Sequence, residues 1–317
     1  MAQVSTNILD FDETPIYKVF EECKNDADTL KLGLTGSELV GLVPLKALLD
    51  CAEYYCKKDG LFVLEEDQRI RLVVDRLGLS SIKYFKPEER VIEYMVGSNK
   101  PGQLASLSVV DFVKKVASRT AVPGGGSVSA LVGALGTSLA SMAGLLTFGN
   151  RKFEKVDGQM REIIPKFYNK VENILRVIDA DSDAFAEYVD ANREMNRVKY
   201  SKDQNLVAKA KERLDNSSMK SVQVPLRLVL TLDTLWQPLV ELAKYVNPAT
   251  LSDVTVAGHC LAAGIHGAYA NVKINLPNLP ESKRDGVFED ELYKAKTAND
   301  NVEANLANVM KVLNASE

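Results

Sequence analysis

The fold of this chain is organised around residues 120–150, TAVPGGGSVSALVGALGTSLASMAGLLTFGN, which contain no Asp, Glu, Lys or Arg. A charge-free run of 31 residues is either a membrane span or a helix buried on all sides in a bundle. Between Gly124 and Gly149, 17 of 26 residues are Gly, Ala, Ser or Thr, so the run is only weakly hydrophobic. The composition therefore predicts a buried helix and no membrane span.

This helix carries two contrasting stripes at helical spacing. The large side chains form one stripe and the small ones form the opposite stripe: Leu131, Leu135, Leu139, Met142 and Leu146; and Ala130, Gly133, Ala134, Thr137, Ser141 and Gly144. Small side chains let a second backbone approach closely. The small stripe therefore predicts a tight helix–helix contact.

The overall composition excludes several classes of function. A length of 317 residues allows two domains, and a net charge of −4 gives no reason to expect nucleic acid. The four cysteines show no paired metal spacing, and the start of the chain has no basic-then-apolar signal pattern. We expect a cytoplasmic protein with reduced thiols and no metal site.

The first part of the chain, residues 1–96, predicts an α+β subdomain. Helical periodicity covers 15–31, 45–58 and 65–77, whereas 32–43, 61–64 and 91–96 have strand character. The composition of 97–106 indicates a linker, and strand signals nearly vanish over 107–317. The predicted fold is an α+β N-terminal subdomain followed by an all-α helical-bundle domain.

A carboxylate interrupts the apolar seam of the long helix predicted over 157–192. The seam steps by three and four through Ile164, Phe167, Val171, Ile174, Ile178, Asp181, Phe185 and Tyr188. Asp179 and Asp183 point elsewhere, because two residues turn a helix by about 200°. Burial would raise the pKa of Asp181 and make it a proton carrier. The alternative is a structural Asp that caps a helix or pairs with an Arg.

The turn from Pro123 to Ser127 feeds directly into the charge-free helix, so its unpaired N–H groups suit an anion or a polarised carbonyl. The alternative is a packing turn, since the motif lacks the Lys and spacing of a P-loop.

Asn271 and Asn275 lie one turn apart and suit either a heterocycle or helix capping. His259 and His266 lie two turns apart with no third ligand, so no metal is predicted.

Several motifs together resemble one family. They are Pro123–Ser127 (PGGGS), Ile178–Phe185 (IDADSDAF), Val224–Leu226 (VPL) and Gly267–Leu276 (GAYANVKINL) in the second domain, with Gly36–Asp50 and Leu64–Val74 in the first. In this order they resemble formimidoyltransferase-cyclodeaminase, a bifunctional folate enzyme of histidine degradation. Residues 1–96 look like the C-terminal subdomain of the transferase half, and 107–317 look like the cyclodeaminase.

The resemblance implies cyclisation of 5-formimidoyltetrahydrofolate to 5,10-methenyltetrahydrofolate with release of ammonia. It carries over Asp181 as the catalytic residue, which the seam also singles out. It implies no metal and no tightly bound cofactor, with a tetrahydrofolate derivative, polyglutamylated or not, as substrate. The candidates for binding that substrate are Gly124, Gly125, Gly126, Ser127, Asn271 and Asn275, with Lys152, Asp253 and Lys273 as further candidates whose alternative is solvated surface charge.

The resemblance also implies a helical homodimer or larger homo-oligomer, with the active site near the subunit interface. In the family the transferase half has an N-terminal subdomain with the catalytic histidine. We expect that subdomain to be absent here and transfer activity to be lost, unless a separate chain supplies it. Two alternatives to the ammonia lyase stay open, namely a methenyltetrahydrofolate cyclohydrolase and a non-enzymatic assembly or binding protein.

Overall fold

The structure, a computed structural model, describes residues 2–97, 102–284 and 286–315. The chain divides into two units, Met1–Lys100 and Pro101–Glu317. The predicted linker, 97–106, includes residues 98–101, which lie outside the described residues.

The first unit contains α1 (Ile16–Thr29), α2 (Leu45–Lys58), α3 (Glu66–Leu77), α4 (Pro87–Arg90) and α5 (Ile92–Val96). The three longer helices were predicted. Helix α2 buries an apolar stripe that includes Leu48, Cys51 and Tyr55. Helix α3 begins with acidic residues and ends at Gly78, whose φ of 59° is left-handed. These helices form the core of the unit.

The prediction of an α+β first subdomain is wrong. Within residues 2–97 the only strand-type pairing is an isolated parallel bridge between Val43 and Val91. Residues 92–96 form a helical turn, and Leu32, Leu34 and Val40 are exposed at 60%, 43% and 88%. A strand needs a neighbouring strand for its N–H and C=O groups, and the β-rich segment 32–42 has no such neighbour among the described residues.

The second unit is helical throughout its described residues. Its helices are α6 (Val109–Val116), α7 (Gly125–Thr147), α8 (Asp157–Val198), α9 (Gln204–Asp233), α10 (Trp236–Tyr245), α11 (Leu251–Asn275), α12 (Gly286–Asp300) and α13 (Val302–Asn314). Helix α9 runs through Pro225, where the sequence predicts a new helix. The single final helix predicted over 285–313 is two helices that meet at Asn301.

Helix α7 packs antiparallel to both α8 and α11 through its small-residue stripe. A Cβ at Gly264 of α11 would lie 3.3 Å from the Cα of Gly133, and one at Gly144 would overlap Ile164 of α8. Leu135 and Leu146 on the opposite stripe are 52% and 53% exposed. The prediction that this helix is buried on all sides is therefore wrong, although Leu131 and Leu139 of the same stripe are half-buried.

By length and composition α7 could also cross a membrane, although 56% of its most apolar 18-residue window is buried inside the protein. A buried core helix passes the same test of length and composition. The packing of the small stripe against α8 and α11 is the feature that distinguishes α7 from an isolated span.

Candidate functional site

The N-terminus of α7, at one end of the helical bundle, has backbone donors that lack helical acceptors. The first helical bond runs from the Val128 N–H to the Gly124 carbonyl at 3.1 Å. The N–H groups of Gly125, Gly126 and Ser127 therefore have no acceptor within the helix. Together with the helix dipole they favour a negatively charged or polarised oxygen at this end.

Asp181 of α8 lies directly against this helix end. The Ser127 hydroxyl lies 3.4 Å from Asp181 Oδ2, and the Ser127 N–H also donates to the carboxylate. A Cβ at Gly126 would overlap the Asp181 carboxylate, so the close approach requires glycine. Burial raises the pKa of Asp181, and the hydrogen bonds from Ser127 oppose that rise in part. The carboxyl therefore holds a proton more readily than an exposed Asp does.

Ser127 is fixed by contacts with two further groups on α8. Its hydroxyl donates to the Ile178 carbonyl at 2.7 Å and lies 3.0 Å from the Ser182 hydroxyl. Ser127 and Ser182 are both buried. Since the hydroxyl proton is directed at the Ile178 carbonyl, the side chain of Ser127 joins α7 to α8. Its N–H is directed at the Asp181 carboxylate, so Gly125 and Gly126 supply the backbone donors left for a ligand at this helix end.

The two predicted asparagines lie at the end of α11, which runs antiparallel to α7. Asn271 lies beside the glycine turn, because a Cβ at Gly125 would be 3.3 Å from its Nδ2. That nitrogen donates to the Gly267 carbonyl at 2.8 Å. Asn275, one turn further on, donates its Nδ2 to the Ser221 carbonyl of α9 at 2.9 Å. The structure thus places Asn271 at the helix end with Asp181, whereas Asn275 contacts α9.

The structure separates Lys152 and Asp253 from this cluster. Lys152 follows the C-terminus of α7, and Asp253 lies in the first turn of α11. The 23 residues of α7 put Lys152 about 34 Å from the glycine turn of the same chain. Lys273 is exposed, with its Nζ 5.9 Å from the centre of the Tyr269 ring. None of the three contacts Asp181.

Asp179 has a role that the sequence did not reveal. Its carboxylate accepts from the N–H groups of Leu104 and Ala105, at 2.7 Å and 3.0 Å. Two residues along α8 from Asp181, it fastens the turn at 102–106 to the bundle. The helical seam shows that Asp179 points away from the α7 contact. Its partner lies 75 residues earlier in the chain, and no local sequence pattern predicts that contact.

Open grooves lie away from Asp181. One follows the surface of α8 and α9 and is lined by Glu187, Lys209, Arg213 and their neighbours, and the other lies near Lys244 and Lys311. Asp181 lines neither groove. An open pocket beside Asp181 would have favoured an enzyme over a non-enzymatic protein, and these two grooves do not supply one. Within the described residues, no group of three or more His, Cys, Asp and Glu side chains could hold a metal ion.

Two family models match this sequence. The model described as formiminotransferase-cyclodeaminase matches residues 108–294, and the formiminotransferase domain matches residues 1–97. A formiminotransferase domain is therefore present at the start of the chain. This corrects the expectation that the N-terminal transferase part is absent.

Curated relatives match both units. The chain is 46% identical to formimidoyltransferase-cyclodeaminase of Mus musculus over 298 residues, covering 94% of this chain and 52% of that protein. The enzyme of that name from Dictyostelium discoideum is 40% identical over 315 residues, covering 99% of this chain and 56% of the relative. The chain thus spans about half the length of these relatives.

Two further similarities cover part of the chain. Methenyltetrahydrofolate cyclohydrolase of Methylorubrum extorquens is 27% identical over 191 residues, which are 59% of this chain and 86% of that protein. The crystal structure of formiminotetrahydrofolate cyclodeaminase from Thermotoga maritima superposes with a TM-score of 0.56 at 24% identity, covering 67% of this chain and 98% of that one. This structural similarity shows a shared fold.

Proposed function

The chain belongs to the formiminotransferase-cyclodeaminase family, and we propose that its second unit converts 5-formimidoyltetrahydrofolate to 5,10-methenyltetrahydrofolate and ammonia. The observation that carries the proposal is Asp181, a half-buried carboxyl of raised pKa against the donor-rich end of α7. Ring closure with loss of ammonia needs one group that accepts a proton and returns it. Asp181 lies where such a group would meet a ligand bound at the glycine turn.

In the proposed reaction a bridge nitrogen of the folate attacks the amidine carbon and forms the new C–N bond. Asp181 takes the proton that leaves this nitrogen and delivers it to the departing amine, which leaves as ammonia when its C–N bond breaks. The N–H groups of Gly125 and Gly126 hold a carbonyl oxygen of the substrate, and Asn271 contacts its ring. Positioned acid–base groups of this kind contribute about 10²–10⁴-fold to a rate.

The decisive experiment follows methenyl-folate absorbance from 5-formimidoyltetrahydrofolate with the parent and with Asp181→Asn. An amide cannot carry the proton, so we expect the rate to fall by about 10²–10⁴-fold. Asp183→Asn is the matched control, because Asp183 lies exposed on the same helix and should leave the rate within about twofold. Turnover by Asp181→Asn at the parental rate would contradict the proposal.

A methenyltetrahydrofolate cyclohydrolase is the second candidate, favoured by the similarity to the Methylorubrum extorquens protein of that name. That reaction would use the same carboxyl to direct water at a methenyl carbon. Ammonia release from the formimidoyl substrate supports the lyase. Water-dependent opening of methenyl-folate, without ammonia release from the formimidoyl compound, would replace it.

For the first unit we propose that formimidoyl transfer does not proceed on this chain alone. Both histidines of the sequence, His259 and His266, lie in the second unit, so residues 1–97 offer no imidazole for acid–base work near neutrality. The test supplies formimidoylglutamate and tetrahydrofolate and measures transfer. Robust turnover would contradict this part of the proposal.

We also propose that two copies of the chain associate through the outer leucine face, defined as Leu131, Leu135, Leu139, Met142 and Leu146 of α7. This face is charge-free, and Leu135 and Leu146 expose half of their area. Met142 of the same face is also exposed, whereas Leu131 and Leu139 are half-buried. An exposed apolar patch of this kind marks an interaction surface. A face without charge is compatible with a second copy of itself across a two-fold axis. Such a dimer would place both glycine turns near the interface.

A further inference from the structure

Pro225 leaves a gap in the hydrogen bonding of α9, and a side chain from α11 fills it. Proline has no N–H, so the Ser221 carbonyl one turn earlier lacks its helical donor. Asn275 Nδ2 donates to that carbonyl at 2.9 Å. Pro225 and Ser221 are both buried, so without Asn275 the carbonyl would be buried and unpaired.

This replacement bond lies at the level of the Asp181 cluster. The ion pair between Glu187 and Lys220 shows which residues of the antiparallel helices α8 and α9 lie at the same level. Five residues further along each helix, in opposite directions, Pro225 comes level with Ser182. The Ser182 hydroxyl contacts Ser127, which in turn contacts Asp181. The gap in α9 therefore faces the same end of the bundle as the proposed active site.

The hydrogen bond from Asn275 to the Ser221 carbonyl also affects the position of Asn271. Asn271 precedes Asn275 by one turn of α11 and lies beside Gly125 of the glycine turn. A bare buried carbonyl draws in water or shifts its helix, because an unpaired buried polar group is costly. Either change at Ser221 would loosen the contact of α9 with the end of α11. Asn271 would then move away from the N-terminus of α7.

We infer that Asn275 is a positioning residue. Its amide replaces the hydrogen bond that Pro225 removes, and thereby holds the last turn of α11, with Asn271, against the glycine turn. This assigns Asn275 to the support of the site in place of the substrate contact expected from the sequence. The catalytic readout rests on the proposed cyclodeaminase function, whereas the hydrogen bond can be tested by unfolding alone.

The experiment is a double-mutant cycle with Asn275→Ala, Pro225→Ala and both together, followed by thermal unfolding and by kcat and KM for methenyl-folate formation. In the parent background, Asn275→Ala should lower the melting temperature and reduce kcat/KM by about tenfold. Pro225→Ala returns an N–H to the Ser221 carbonyl. In that background Asn275→Ala should change kcat/KM by no more than about twofold, since non-additivity reports the shared bond.

The outcomes separate the alternatives. Recovery of both melting temperature and kcat/KM in the double variant supports the positioning role. Recovery of the melting temperature with kcat/KM still lost would overturn that role in favour of a direct substrate contact by Asn275. If the changes in melting temperature caused by the two single substitutions simply add in the double variant, the hydrogen-bond replacement itself is overturned. This measurement needs no substrate. Absence of turnover in the parent would count against the proposed function alone.

Asn278→Ala provides the matched control, because Asn278 is an exposed amide just after α11. Both melting temperature and kcat/KM should stay within error of the parent. A loss equal to that of Asn275→Ala would show that any amide removed from this segment has the same effect, and would overturn the specific role of Asn275.

Discussion

Gly126 of α7 and Asp181 of α8 adjoin so closely that a methyl group on Gly126 would overlap the Asp181 carboxylate. The helix end and the carboxyl therefore share one small volume, in which the Ser127 N–H and hydroxyl also meet the carboxylate. This proximity explains why the last residue of the glycine run, Gly126, is glycine. A turn for chain reversal alone would tolerate a side chain on the helical residues that follow it.

Replacing Gly126 by Ala should displace Asp181 and reduce cyclodeaminase turnover by about tenfold or more. Overpacking a tight contact typically costs about 1–3 kcal/mol of stability, and the added methyl group meets a carboxylate and not a flexible chain end. Steady-state rates and urea unfolding would measure both effects.

Gly158→Ala is the control for that substitution. Gly158 lies in the first turn of α8, and the methyl group that alanine adds there would have no neighbouring atom within 4 Å. Alanine favours a helix over glycine by about 0.5–1 kcal/mol, so this variant should be as stable as the parent or more so. Equal losses in the two alanine variants would contradict the contact between Gly126 and Asp181.

Asp181→Asn should make the protein more stable at neutral pH while lowering turnover by about 10²–10⁴-fold. Burial raises the pKa of Asp181 above its ordinary value of 3.8, so the folded state binds the proton more tightly than the unfolded chain does. The free energy of unfolding of the parent therefore falls as pH rises through the range between these two pKa values, and the penalty persists above it.

Asparagine carries no charge and escapes that penalty. The excess stability of Asp181→Asn should be largest at pH 7 and should disappear as pH falls below 3.8. Urea unfolding at several pH values tests this. A variant less stable than the parent at pH 7 would show that the hydrogen bonds from Ser127 outweigh the burial of the charge.

Asp179→Ala should destabilise the second unit by about 1–3 kcal/mol, because two backbone N–H groups, those of Leu104 and Ala105, lose their acceptor. Asp183→Ala, at an exposed position on the same helix, should stay within about 0.5 kcal/mol of the parent. Hydrogen exchange at residues 102–106 gives a local readout. Unchanged protection of those amides in Asp179→Ala would contradict the role of Asp179 in holding residues 102–106 against α8.

Leu135→Glu should convert the proposed dimer into monomers, because it would bury a charge within the outer leucine face. Sedimentation velocity measures the mass directly. Val113→Glu is the control, since Val113 of α6 is similarly exposed, at 59%, but lies outside that face. A parent that is monomeric at micromolar concentration, or that binds lipid vesicles through this face, would contradict the dimer.

Local periodicity was enough to identify most of the helices. Helices α1, α2, α3, α7 and α8 coincide with predicted ones to within a few residues at most of their ends, and the seam of α8 singled out Asp181 before any resemblance was considered. The N-cap of α6 is also local, because the Asp111 N–H donates to the Ser108 hydroxyl at 3.1 Å. All these features depend on residues three or four apart in the chain.

The helices, the two stripes of α7 and the seam that carries Asp181 follow from local pattern, since helical hydrogen bonds join residues four apart. The pairings between distant segments come from tertiary packing. In the folded protein the β-rich segments form no sheet, Leu135 and Leu146 of α7 stay exposed, and Asp179 accepts from the N–H groups of residues 104 and 105. It also matched Asn275 to the carbonyl that Pro225 leaves bare. Strand pairing and buried polar partners depend on groups far apart in the chain, and no local pattern records which ones will meet.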